Sequence, residues 1–338
     1  MATNNLATVQ RNNIKSTEYW SKRLLGMIKL EEQNFVFSRL GVQKEIPLNQ
    51  GTTTFSMRRY NSLPISSDGT LNGAKLTEGQ APTALKVEAQ KVQGTVNQYG
   101  NYIEETDVVD AVHFDNIKRE YQPELARVSA EIKERCTLEA LSEASEYFAG
   151  GKTSDDTITA SDTLKLKDCR MAALTQKVYN RKGHSKYGGK PVLVCGAQVM
   201  QDLLDDSALL NNILVPGNEN SVMKNGSLEN YKAFGMYFQE TLICPVKANT
   251  SHVNVYTSYL IGNDAYAVFK FKNTEWKETG FEASKSDPLG QKATIGFKMW
   301  AGAKVLDPIA ITAIKSASGY DIVPNFTTDT IGKTASQA

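Results

Sequence analysis

The longest regular pattern in the chain is an alternation with a period of two. Ala293, Ile295, Phe297, Met299, Ala301, Ala303 and Val305 fall on one face, and Lys292, Thr294, Gly296, Lys298, Trp300, Gly302 and Lys304 on the other. This predicts a strand, over twice the usual length of about five or six residues. Earlier, Ser16 to Glu32 carries Trp20, Leu24, Leu25, Met27 and Ile28 at near-helical spacing, with Lys and Arg between them. This predicts an amphipathic arm helix, ended by Gly41 and Pro47.

Two strand-like runs come next: "TTTFSMRRY" at Thr52–Tyr60, and "LKVEAQKVQGTVNQYGNYIEETD" at Leu85–Asp107. In the second, the alternation Leu85, Val87, Ala89 slips to Val92, Gly94, Val96, which predicts a bulge near Gln90 or Lys91. The Gly-, Pro- and Ser-rich stretch Asn61–Thr83 between them is longer than ordinary connections, and ordered loops beyond about 12–15 residues are usually functional. Two strands with a long polar tip describe a hairpin that projects from its domain and gains order by lying on something else. Ile117, Tyr121, Leu125, Val128, Ile132 and Cys136 then recur every three or four residues, followed by Leu138, Leu141, Ala144 and Phe148. Pro123 fits only a first turn. The main helix is therefore expected from Gln122 to a stop at Gly150-Gly151.

Past the polar linker "KTSDDTITASD", a compact α/β region is expected. Asp168 is a candidate cap for a helix through about Asn180. "PVLVCG" reads as a buried strand and "AQVMQDLLDD" as a helix. "AFGMYFQETLICP", "SHVNVYTSYLIG" and "AYAVFKFK" supply three more strands, and Ser316–Ala338 reads as a polar tail.

Composition narrows the role. The 338 residues are 41% hydrophobic, enough for two domains or one large one. Thirty-eight basic side chains against thirty-seven acidic ones leave a net charge of +1. That balance lacks the basic bias of a dedicated nucleic-acid binder and disfavours a purely electrostatic membrane binder. Cys136, Cys169, Cys195 and Cys244 lie far apart, so buried free thiols are expected in place of zinc ligands or disulfides. "MATNNLATVQRNN" lacks the apolar stretch of a signal peptide, and no run approaches the roughly twenty apolar residues of a membrane span. A soluble protein made in a reducing cytoplasm is the expectation.

Candidate chemistry is sparse. His113, His184 and His252 are isolated, and no Gly-x-Ser-x-Gly elbow supports a nucleophile. "GGKT" at Gly150–Thr153 lacks the P-loop's earlier glycine, since position 146 is Glu, and its predicted place after a long helix is wrong for that motif. The loop "RKGHSKYGGK" at Arg181–Lys190 can be read as a solvated loop, an anion cradle, or a loop meeting copies of itself on a symmetry axis. No catalytic residue, cofactor or metal is expected.

The order of parts (arm, projecting hairpin, long helix, compact α/β region, late long strand) resembles the major capsid protein fold shared by tailed bacteriophages and herpesviruses. Short motifs resemble the capsid family named after coliphage N4. They are "RRY" at Arg58–Tyr60, "LTEG" at Leu76–Gly79 with Pro82, "QYGNYIEETD" at Gln98–Asp107, "NGSLENYKAFGMYFQET" at Asn225–Thr241, "LIGNDAYAV" at Leu260–Val268 and "DPLGQKATIGFK" at Asp287–Lys298. They occur in the family's order, and Lys152–Lys190 departs from its pattern.

The resemblance implies an α+β fold with an N-terminal arm (1–45), an extended hairpin loop with its base strands (46–112) and a spine helix of a peripheral domain (113–151). A mainly axial domain (152–285), a long strand returning to the peripheral sheet (286–315) and a tail (316–338) complete it. The late strand's apolar face would cover the spine helix, with Lys292, Lys298 and Lys304 on the other side. It further implies a non-enzymatic virion protein, synthesised in the host cytoplasm, that assembles into pentamers and hexamers of an icosahedral shell around double-stranded DNA. Scaffolding, portal and decoration proteins are possible partners, DNA contact is non-specific, and no membrane is involved. Arg58, Arg59, Tyr60, Lys75, Leu76, Glu78 and Gly79 are candidates for inter-subunit contact, and Lys182, His184, Lys186 and Tyr187 for the capsomer centre. An encapsulin-like compartment shell is the near alternative, and an α+β enzyme with an unmarked site the distant one.

Overall fold

The computed structural model describes residues 35–46, 53–60, 63–80, 83–112, 117–179, 185–206, 232–233, 235–241, 243–270, 274–283 and 287–320. The expected arm helix at 16–32 lies outside them. A helical turn α1 (Phe37–Leu40) and strand β1 (Val42–Glu45) lead to β2 (Thr54–Tyr60), β3 (Ala89–Thr95) and β4 (Asn97–Thr106). Helices α2 (Asp107–Val112) and α3 (Ile117–Leu141) follow, then β5 (Ser145–Phe148), α4 (Leu166–Val178), β6 (Val192–Gly196) and α5 (Ala197–Asp205). The rest is strand: β7 (Lys232–Ala233), β8 (Met236–Thr241), β9 (Val246–Ala248), β10 (Asn254–Ile261), β11 (Tyr266–Lys270), β12 (Glu275–Thr279), β13 (Lys292–Val305) and β14 (Ile311–Ser316).

β13 is the axis of a five-stranded sheet. Its first ten residues pair antiparallel with β4, from Lys292↔Thr106 to Ala301↔Asn97. β12 lies on its other side over Thr294–Lys298, and β11 over Gly302–Val305. Length is thus what lets one strand serve three partners. Its apolar face behaves as the alternation predicts: Ile295, Phe297, Met299 and Ala301 are buried against Leu125, Val128, Ile132 and Cys136 of α3. The other face carries glycines where backbones crowd. A Cβ on Gly296 would sit 2.6 Å from both the Asn101 carbonyl oxygen and the Tyr102 Cβ. Beside those glycines Lys292 pairs with Glu104 at 2.6 Å, and Lys304 with Glu143 at 2.5 Å.

The second sheet runs β5-β14-β10-β6-β8-β7, with β9 also on β10. It is buried on both faces, and strand alternation sorts its residues between them. Leu193, Cys195, Leu260 and Ile314 face α4 and α5, among Cys169, Ala172, Val199 and Leu203. Val192, Val194, Tyr259, Ile261 and Ala313 face the opposite way, onto Leu138 and Leu141 of α3 and onto Val36, Phe37 and Leu40. The helix α3, about 37 Å long at 1.5 Å per residue, therefore touches both sheets. The four cysteines are free thiols, two buried and two half-buried.

Several expectations need correction. α3 starts at Ile117, so Pro123 is its seventh residue and removes one internal hydrogen bond. It ends at Leu141, not at Gly150-Gly151 as a 113–151 spine required. Ser142 Oγ closes the end onto the Glu139 carbonyl at 2.7 Å, and Ser145–Phe148 then enters a parallel ladder with β14. Serine and aromatic residues are weaker helix formers than those preceding them, and the ladder takes their backbone groups. β2 and β3 pair without a bulge at Gln90 or Lys91; the break falls at buried Val96, while Leu85 and Val87 are exposed outside any strand.

Asp168 sits in the first turn of α4 and does not cap it. Lys165 is the N-cap, and the Leu166 N–H donates to Asp206 at 2.8 Å. β11 and β12, within the expected 152–285 axial region, belong to the five-stranded sheet, and β14, mostly within 286–315, to the other. The tail starts later than 316: Ser316 is fully buried, and Tyr320 donates to Asp205 at 2.5 Å.

Candidate functional site

The hairpin is built from β2 and β3 in register from Thr54↔Thr95 to Tyr60↔Ala89. Phe55 turns inward, lying over Gly94 opposite it and stacking on Phe269 with ring planes 24° apart. Phe55, Val96, Ala267 and Phe269 form a small core that fixes the hairpin base on the five-stranded sheet. Arg59 shares the parity of Phe55, and its guanidinium bonds Asp307 at 3.1 Å and the Leu306 carbonyl at 3.3 Å. Arg58 and Tyr60 face the other way, both exposed. The expected trio is thus split: two side chains face outward and one clasps its own subunit.

Beyond the ladder, every described residue of 63–80 is exposed except Ser66. Asp68 organises the tip. It accepts from Ser66 Oγ at 2.5 Å, the Thr70 N–H at 3.0 Å and Thr70 Oγ1 at 2.9 Å. The Ser66 bond, then those of Thr70, hold its carboxyl down to about 2. Lys75, Leu76, Glu78 and Gly79 follow, all exposed, with Gly79 at φ +76°, where a side chain is disfavoured. Leu63, Ile65, Leu71 and Leu76 expose 55–78% of their surface here. The tip is ordered by local polar bonds and buries almost no apolar surface in its own chain.

Of the second candidate group, Lys182 and His184 lie outside the described residues. Lys186 donates to the Arg39 carbonyl at 2.9 Å, and the Tyr187 ring packs edge-on to Tyr237 at 4.9 Å. Both have partners in their own chain. The "GGKT" turn follows strand β5 and not a helix. Gly150 and Gly151 take φ +66° and +72°, and Lys152 pairs with Asp162 at 3.6 Å, as in an ordinary connection.

The sequence reading missed Glu134. Fully buried on α3, its carboxylate accepts the N–H groups of Val36 (3.0 Å), Phe37 (2.8 Å) and Ser38 (2.7 Å). Burial pushes its carboxyl up, against those bonds. The Tyr266 hydroxyl donates to the Phe37 carbonyl at 2.6 Å. This clamp fixes where the N-terminal segment joins the body. The available signal was position, since Glu134 shares the helix face of Ala130, Leu138 and Leu141. Around the helix from it, a largely apolar cleft of about 670 Å³ opens between α3 and the second sheet, at the edge of their contact. Among the described residues no group of three or more His, Cys, Asp or Glu could hold a metal ion, and no helix is long and apolar enough to cross a membrane.

No protein-family model and no curated protein sequence matches the chain. Its fold is nevertheless that of tailed-phage capsid proteins. It superposes on the capsid structure of cyanophage P-SCSP1u with a TM-score of 0.62 at 14% identity, covering 84% of this chain and 88% of that one. The capsid of Ralstonia phage GP4 gives 0.62 at 12% identity over 86% and 91%. The mature capsid of bacteriophage PhiM1 gives 0.59 at 14% identity over 86% and 88%. The architecture is therefore the expected one: α+β, with a projecting hairpin, a long helix beside a sheet, and a second α/β body.

Proposed function

We propose that this chain is a major capsid protein that self-assembles into pentamers and hexamers of an icosahedral shell around double-stranded phage DNA. The hairpin carries the reading: an ordered arm with exposed Leu63, Ile65, Leu71 and Leu76 at its tip and a firmly clasped base. A chain gains little by holding such an arm out from its own core, and gains much when the arm lies on a second copy. The likeness to phage capsids in fold supports the same reading. On it, Arg58, Tyr60, Lys75, Leu76, Glu78 and Gly79 meet a neighbour, Arg59 holds the arm at its working angle, and the Lys182–Tyr187 loop lies near the capsomer centre.

Of the segment 1–45, the part before the Glu134 clamp acts as arm, while Val36–Glu45 is built into the body through that clamp and the pairing of β1 with β11. α3 acts as spine, and the two sheets as peripheral and axial bodies. The motifs from Arg58 to Lys298 support membership of the family named after coliphage N4. The role is structural and non-enzymatic, in the virion, after synthesis in the host cytoplasm. Scaffolding, portal and decoration proteins are its further partners, and near-neutral charge suits weak, non-specific DNA contact. Nuclease-treated particles from phage-infected cells, in which this chain is made together with its scaffolding and portal partners, test the reading. Protected double-stranded DNA is expected; particles holding only a cargo protein would make it a compartment shell, and absence of particles would overturn the reading.

A further inference from the structure

The cleft between α3 and the second sheet has an apolar wall that includes Ile132, Cys136, Leu138 and Tyr259. It opens beside the point where the N-terminal segment joins the body. Glu134 holds the Val36, Phe37 and Ser38 N–H groups, and Phe37 packs edge-on to Tyr259 at 5.4 Å. Tyr259 is itself part of the cleft wall, as are Arg135 and Cys136 immediately after Glu134. We propose that the amphipathic segment Ser16–Glu32 of the same chain docks in this cleft, laying Trp20, Leu24, Leu25, Met27 and Ile28 on its wall.

Three considerations select this occupant. The first is reach: the seven residues from Ile28 to Phe35 span at most about 24 Å extended, while α3 with its side chains is about 10–12 Å across. The segment can pass from the Glu134 clamp around the helix to the cleft. The second is shape and chemistry. As a helix, the segment gathers Trp20, Leu24, Leu25, Met27 and Ile28 on one side at spacings of four, five, seven and eight, with Tyr19, Lys22, Arg23, Lys29 and Leu30 elsewhere. A cleft of about 670 Å³ accommodates several such side chains. The third is tethering, because a segment joined to the cleft by a short connection sees it at an effective concentration of about millimolar, which free copies do not match. The docking concerns a single subunit and stands apart from the shell reading.

Cys136 on the cleft wall reports occupancy. The full chain, kept as dissociated subunits, is labelled with a maleimide, and labelling at Cys136 is quantified by peptide mass spectrometry. Cys169 and Cys195, both buried, serve as folding controls. Deleting residues 1–32, or changing L24S, L25S and I28S together in the intact chain, should raise the Cys136 labelling rate about tenfold, the change for a segment docked about nine-tenths of the time. A synthetic peptide of residues 16–32 should restore protection to the deletion variant. The triple variant keeps the test valid if the deletion fails to fold. Unchanged labelling in the triple variant, or protection that disappears on diluting the intact chain, would overturn docking within one subunit.

Discussion

Arg58 and Arg59 are adjacent, yet one faces outward and the other grips Asp307, because successive strand residues point to opposite sides. A double-mutant cycle of Arg59→Ala and Asp307→Ala, read by urea unfolding, should give a coupling of about 0.5–1 kcal/mol, the upper range for an ion pair that keeps only part of its surface in solvent. Arg58→Ala should leave stability unchanged. Asp68 works through hydrogen bonds that need its ionised form. Its folded value near 2 lies below the ordinary carboxylate range, so its contribution is present above about pH 4 and disappears as pH falls through 2. Amide-exchange protection at Thr70 and Gly73 should therefore persist at pH 4 and collapse near pH 2, and Asp68→Ala should lack it at every pH. The strand parity behind the Arg58–Arg59 split was legible in the sequence. The Asp307 partner was not, since it lies 248 positions on and only the fold brings it near.

At the scale of elements, β13 was the most readable feature, because one face meets a helix and the other a crowded set of backbones, and a two-residue period records both. The fully buried β6 was also legible as a short apolar run. α3 is legible in its middle and not at its ends: Pro123, usually the mark of a first turn, sits inside it, and the sequence after Leu141 keeps a helical rhythm while its backbone pairs with β14. β12 was missed because Glu275–Thr279, at the sheet edge, carries little apolar pattern. Glu134 shows what periodicity hides, a charged residue on a buried face satisfied by a distant segment. Glu134→Ala leaves three N–H groups without their acceptor and should cost about 3 kcal/mol in chemical unfolding. Limited proteolysis should then cut near Phe35 faster than in the wild type; equal stability and equal cleavage would remove the clamp from the account.

At the scale of the molecule, two sheets share one long helix, and a polar-tipped arm extends from the first of them. Replacing Ser62–Gln80 by a short turn should leave cooperative unfolding intact, because those residues bury little in their own chain. The same change should abolish or sharply reduce assembly. Loss of cooperative unfolding would mean that the tip is part of the core. The candidate contact residues were legible as an exposed loop, but a surface meant for another copy has no partner in a single sequence to declare it. Negative-stain electron microscopy of the purified full-length protein tests the central claim most directly. The account predicts pentameric and hexameric rings or closed icosahedral particles. A uniformly monomeric species that forms neither, at any concentration or salt, would contradict it.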